Sequence, residues 1–128
     1  MAETMQAVVV DDRVPGRMRL GEVPRPTRQT SEVLVRVHAI SLNRGEIKTA
    51  LAAPAGFRPG WDFAGVVEQA ADDGSSLPVG TRVVGLMPFG AWADYVAVAP
   101  LAIAPLPDHV GFEAAATLPV AGLTARAA

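Results

Sequence analysis

The sequence predicts a mainly β domain, made of short strands and interrupted by short helices. Runs of Val, Ala and Leu recur at strand length from residue 6 to residue 106. Between them stand turn residues, and with 12 Gly and 11 Pro in 128 positions long helices have little room. The segment Val33–Ile40 alternates, with Val33, Val35, Val37 and Ala39 on one face and Leu34, Arg36 and His38 on the other. Short strands with frequent turns are the pattern of a barrel or a sandwich.

In chain order, Gln6–Val10 is expected as the first strand, closed by Asp11 and Asp12. Val14, Pro15 and Gly16 form a turn, Met18–Val23 returns, and Pro24 and Pro26 break any further ladder. Val33–Ile40 is followed by a short helix over Asn43–Ala52, with Ser41 or Asn43 as its cap. Phe63–Ala70 is a Val-rich strand entered through Pro59 and Gly60 and left through the polar turn at 72–76. Arg82–Leu86, Trp92–Val98 and Ala102–Leu106 are three more strands. Phe112–Ala128, rich in Ala and Leu, reads as helix that Pro119 bends or divides.

Composition narrows the function classes. Half the residues are hydrophobic but only 5% are aromatic, so the core must be built mostly from Val, Ala and Leu. A net charge of −2 gives no basic face for nucleic acid. The absence of cysteine excludes disulfides and any cysteine-ligated zinc or iron–sulfur site. The N-terminal segment lacks a basic stretch followed by an apolar one, and no run approaches the ~20 apolar residues of a membrane span. A cytoplasmic protein with neither membrane nor nucleic-acid partner is expected. The closing AGLTARAA lies in an apolar helix with no glycine cap and no polar tail, so the chain is expected to stop before a further domain begins.

Several motif searches give nothing. No G-x-G-x-x-G joins a strand to a helix, and the G-x-x-x-x-G runs at 60–65 and 85–90 lack the lysine of a P-loop. There is no G-x-S-x-G elbow. His38 and His109 are far apart and outside any zinc motif. Five arginines between Arg13 and Arg28 are interleaved with Asp11, Asp12, Glu22 and Glu32, the pattern of a solvated mixed-charge face.

Three segments in order carry a resemblance: VLVRVHAISLNRGEIK at 33–48, PGWDFAGVVEQ at 59–69 with VGTRVVGL at 79–86, and GAWADYVAVAPLAIAPLPDHVGFEAAATLPVAGLTA at 90–125. Together they resemble the N-terminal half of medium-chain dehydrogenases/reductases, in the zinc-independent branch with quinone oxidoreductases and enoyl reductases. The resemblance implies a GroES-like, partly open β-barrel over residues 1–128, with 112–128 starting the connection to a Rossmann cofactor domain. Where zinc-dependent relatives place a cysteine ligand this chain has Asn43, and where they place a His-Glu pair it has Trp61 and Asp62. Indole cannot ligate zinc and an amide is a poor ligand, so no metal site is expected.

The activity implied is NADPH-dependent, zinc-free hydride transfer to quinones or α,β-unsaturated carbonyls. Carbonyl charge must then be met by hydrogen-bond donors or a proton source. Asn43 is the first catalytic candidate and also a natural helix cap. Lys48 is the second, as proton donor or anion binder, with a solvated helix position as its alternative. Asn43, Glu46 and Thr124 are expected beside the cofactor, with Glu46 orienting Asn43 or lining the pocket and an exposed helix charge as its alternative; Thr117 is a weaker candidate. Trp61, Asp62, Phe89 and Trp92 are expected to line the substrate pocket, with core packing as the rival role of the aromatics. The expected partners are a small-molecule substrate, a Rossmann domain (covalent or split) and, as in family members, a second copy in a homodimer. Residues 1–128 alone are expected to be inactive. A freestanding GroES-like binding or assembly module is the alternative, and a co-chaperonin rests on fold analogy alone.

Overall fold

A computed structural model describes residues 3–127. Thr4–Val10 (β1) and Met18–Pro24 (β2) form an antiparallel hairpin in which Thr4 faces Pro24 and Val10 faces Met18. Val33–Ile40 (β3), Asp62–Gln69 (β4), Arg82–Leu86 (β5), Tyr95–Val98 (β6) and Ile103–Pro105 (β7) make a second antiparallel sheet, in the order β6-β3-β4-β5-β7. The hairpin is stitched to the segment before β6. Val8 N–H donates to the Trp92 carbonyl at 2.9 Å, Asp94 N–H to the Gln6 carbonyl at 3.0 Å, and Ala7 bridges Ala93. The result is the mainly β, partly open GroES-like architecture expected, with its helices outside the strands.

Three segments differ from the sequence reading. Trp92–Val98 is not one strand: residues 92–94 pair with β1 and Tyr95–Val98 with β3, the Asp94 carbonyl also accepting from Val37 N–H of β3 at 2.8 Å. The chain changes sheets there, which period-two patterning cannot reveal. Before β7, Pro100–Ala102 forms a 3₁₀ turn. The C-terminal helix is divided into Phe112–Ala116 (α2) and Pro119–Ala127 (α3), and Ala128 lies outside the described residues. Proline cannot donate to the preceding turn, and α2 tightens to a close, with Leu118 N–H reaching the Ala115 carbonyl at 3.1 Å.

The main core is Val33, Val35, Phe63, Val67, Val83, Ala91, Val96 and Val98. Both faces of the first half of β3 are covered, because Leu34 turns the other way to meet Met5 and Tyr95. That is why the predicted polar face begins only at Arg36. The helix Arg44–Ala52 (α1) buries Glu46 and Ala50. Its last turn has no basic residue, and Arg17 of the hairpin turn donates instead to the carbonyls of Leu51 and Ala53. No helix among the described residues is long and apolar enough to cross a membrane.

Candidate active site

The C-terminal end of β3, the N-terminus of α1 and the start of β4 meet at one place. Asn43 is the N-cap of α1, with extended backbone (φ −116°, ψ 148°). One turn on, Glu46 is 1% exposed, and Asp62 at the start of β4 is 0% exposed. A buried carboxylate is tolerable only when its oxygens are hydrogen-bonded, and both are. Glu46 Oε1 accepts from Asn43 N–H at 2.7 Å and from Asn43 Nδ2 at 2.8 Å, while Oε2 accepts from Trp61 N–H. Asp62 Oδ2 accepts from Ser41 Oγ at 2.7 Å and from Asn43 Nδ2 at 2.7 Å, while Oδ1 accepts from Val120 N–H at 2.9 Å.

Each carboxylate therefore has three donors, and Asn43 bridges the two. Every donor is neutral. Burial pushes the Glu46 carboxyl above the ordinary glutamate range, and the negative Asp62 nearby adds to this; the hydrogen bonds from Asn43 and Trp61 oppose it without cancelling it. Asp62 also joins three parts of the chain: the loop before α1, its own strand, and the N-terminus of α3. A carboxylate accepting from a helix N-terminal amide is favourably placed against the helix dipole.

Beside this cluster lies an open apolar recess of about 400 Å³, lined by Trp61, Leu86, Met87, Pro88 and Val120. Its back is fixed: the Trp61 carbonyl accepts from Met87 N–H at 2.8 Å, and Val120 is the residue whose amide is held by Asp62. Gly60, just before, has φ +124°, and a side chain there would collide with the backbone of Ala91 and Trp92. Glycine is required at that position on both counts.

Asn43, Glu46, Trp61 and Asp62 are thus together, although Asp62 forms the buried footing of the site and has no exposed surface. Trp92 lies under the loop, 5% exposed, with its indole N–H on the Ser41 carbonyl at 3.0 Å. Phe89, 55% exposed, turns toward Phe57 at 6.0 Å between ring centroids and does not line the recess. Lys48 is exposed; at ~100° per residue it stands about 200° around α1 from Glu46, away from the cluster. Thr124 is exposed one turn after Val120, on the same side of α3. Thr117 caps its own helix, its hydroxyl bonding the Ala114 carbonyl at 2.6 Å. Sequence reasoning missed Ser41 as a partner of Asp62, and missed Leu86, Met87, Pro88 and Val120 altogether. Among the described residues, no group of three or more His, Cys, Asp or Glu side chains is placed to hold a metal ion.

Residues 29–108 match the family described as the alcohol dehydrogenase GroES-like domain. The chain belongs to that family. Among relatives of this GroES-like domain is a trans-enoyl reductase of Botryotinia fuckeliana, 38% identical over 94% of this chain and 33% of its own length. The solved quinone oxidoreductase of Coxiella burnetii superposes with a TM-score of 0.87 at 30% identity, covering 98% of this chain and 44% of that one. The quinone oxidoreductase of Thermus thermophilus, solved alone and in complex with NADPH, gives a TM-score of 0.78 at 35% identity, covering 96% of this chain and 39% of that one. The chain therefore spans a third to less than half of the relatives it matches.

Proposed function

We propose that this GroES-like domain is the substrate-side domain of an NADPH-dependent oxidoreductase that reduces quinones or α,β-unsaturated carbonyls by hydride transfer without zinc. It acts together with a Rossmann domain, for which residues 112–128 begin the connection. The observation that carries the reading is the Asn43–Glu46–Asp62 cluster bordering an apolar recess walled by an indole. The similarity to trans-enoyl and quinone reductases supports the same substrate class.

The residues present fit one end of such a cofactor and not the other. The recess with Val120, and Thr124 one turn beyond, offers an apolar wall and a hydroxyl for a nicotinamide; no glycine-rich phosphate loop occurs in the sequence. When bound, NADPH supplies the hydride, and the protein supplies orientation and electrostatics. Trp61, Met87 and Val120 give a flat conjugated substrate an apolar surface that excludes water. Both Asn43 amide hydrogens point at carboxylates, so meeting charge on a substrate oxygen requires Asn43 to exchange one of them. Asp62 is the partner that can be left, because Ser41 and Val120 still satisfy it. Glu46 holds Asn43 in place throughout through two bonds.

The test is NADPH oxidation, followed by absorbance, with 1,4-naphthoquinone or a linear enone. It uses the 128-residue chain alone and the chain joined after residue 128 to a dinucleotide-binding domain. The joined protein is expected to turn over and the chain alone is not. Asn43→Ala in the joined protein is expected to lower kcat about 100-fold, the scale of losing one transition-state donor. A joined protein that binds NADPH yet reduces neither compound contradicts the proposal and favours a binding module.

A further inference from the structure

We propose that Gly45 determines the specificity of the apolar recess, by leaving the first turn of α1 bare so that the Trp61 indole can seat against it. The inference rests on reading the recess as the substrate wall. Glycine is a poor choice inside a helix, and Gly45 is not among the glycines with positive φ, so the backbone conformation does not require it. Space does. A Cβ built at residue 45 would lie 2.5 Å from Trp61 Cη2 and 3.2 Å from Cζ3, well inside van der Waals contact.

The Trp61 backbone cannot retreat to make room. Its N–H is bound to buried Glu46, its carbonyl accepts from Met87, and the next residue is the fully buried Asp62. The indole is rigid and turns only about two bonds. If a methyl group occupies position 45, the ring must swing, and the open side is the recess of about 400 Å³ that it borders. The first turn of α1 thus sets both the position of Trp61, through Glu46, and its ring orientation, through Gly45. The ligand this wall suits is flat, conjugated and uncharged, with one carbonyl edge directed to the polar cluster. A residue larger than glycine at 45 narrows the recess to thin, linear ligands.

The experiment uses the 128-residue chain, the variants G45A, W61L and G45A/W61L, and 2-methyl-1,4-naphthoquinone as probe. Acrylamide quenching reads the exposure of Trp61, with W61F defining the contribution of Trp92. Calorimetry reads quinone binding. G45A is expected to change the Trp61 quenching constant at least about twofold and to weaken quinone binding about tenfold, a change the size of a misplaced methyl group in an apolar pocket. In the W61L background, G45A is expected to change binding by less than about twofold, since the clashing ring is gone. In the unsubstituted chain, a nuclear Overhauser contact between the Gly45 Hα protons and the Trp61 ring is expected. Absence of that contact, or G45A leaving both quenching and affinity unchanged, overturns the proposal. If neither the unsubstituted chain nor the chain joined to a dinucleotide-binding domain binds the quinone while G45A still alters quenching, the seat stands and the substrate reading fails.

Discussion

Asp11 and Glu46 are both carboxylates withdrawn from solvent, and they are satisfied in opposite ways. Asp11, 6% exposed, lies at the end of β1 between two guanidinium groups, Arg13 at 3.1 Å and Arg19 at 2.7 Å. Those arginines remain in water, with side chains 81% and 43% exposed. Their hydrogen bonds, those from Arg13 first, hold the Asp11 carboxyl well below the usual range. Glu46 and its neighbour Asp62 receive only neutral donors, and among the described residues neither forms an ion pair. Two negative groups share one dry place without a counter-charge. Stability alone does not call for that arrangement, because replacing buried charge with well-packed apolar groups is often neutral or favourable. The pair orients Asn43 and Val120 at the edge of the recess, and the hairpin carboxylate only closes a turn.

The largest test of the contrast removes Asp62. Asp62→Ala leaves Ser41, Val120 and one Asn43 hydrogen without an acceptor inside the protein. Each buried orphan costs about 1–3 kcal/mol, so urea unfolding is expected to show a loss of about 3 kcal/mol or more. A loss below about 1 kcal/mol means that water or repacking replaces the carboxylate and that it is not the footing of the site.

A smaller effect comes from pH. Because the folded Glu46 carboxyl sits above its unfolded value, the folded chain holds the proton to higher pH than the unfolded chain does. Folded stability from this group is therefore greatest below the unfolded value and falls as pH rises through the folded one. Asp11 acts the other way: its contribution is complete above the unfolded aspartate value and is lost as pH falls toward the folded one. In urea titrations from pH 4 upward, the stability of the unsubstituted chain minus that of Glu46→Gln is expected to shrink with rising pH. A difference that grows with pH contradicts the Glu46 assignment.

Smallest of the three is Arg17→Ala, which removes the guanidinium from the last carbonyls of α1. The Leu51 carbonyl is near solvent and can take water instead, while the bond to Ala53 is partly buried, so a loss of about 1 kcal/mol in thermal or urea unfolding is expected. A loss as large as that of Asp62→Ala would erase the distinction between the two regions.

The strands were legible because their signals are local: Val-rich runs bounded by Gly and Pro predict β1 to β5 to within two residues of where they lie. Asn43 and Glu46 were legible for the same reason, being one helical turn apart. What sequence could not supply is pairing at long range. Ser41 and Val120 reach Asp62 across 21 and 58 positions, and nothing in either residue type announces it. Trp92 was expected at the pocket and lies beneath it, since the sheet change at 92–94 turns its indole toward Ser41. One signal was available and unread: a glycine in the first turn of a helix, where no positive φ calls for it, marks a close neighbour, here Trp61.

The most direct test of the contrast is a carbon-detected NMR titration of the side-chain carboxyls in the unsubstituted chain. Glu46 is expected to titrate above the ordinary glutamate range while Asp11 titrates below the ordinary aspartate range, in the same sample. Glu46 titrating below the ordinary glutamate range, as a carboxylate paired with a cation would, contradicts the account.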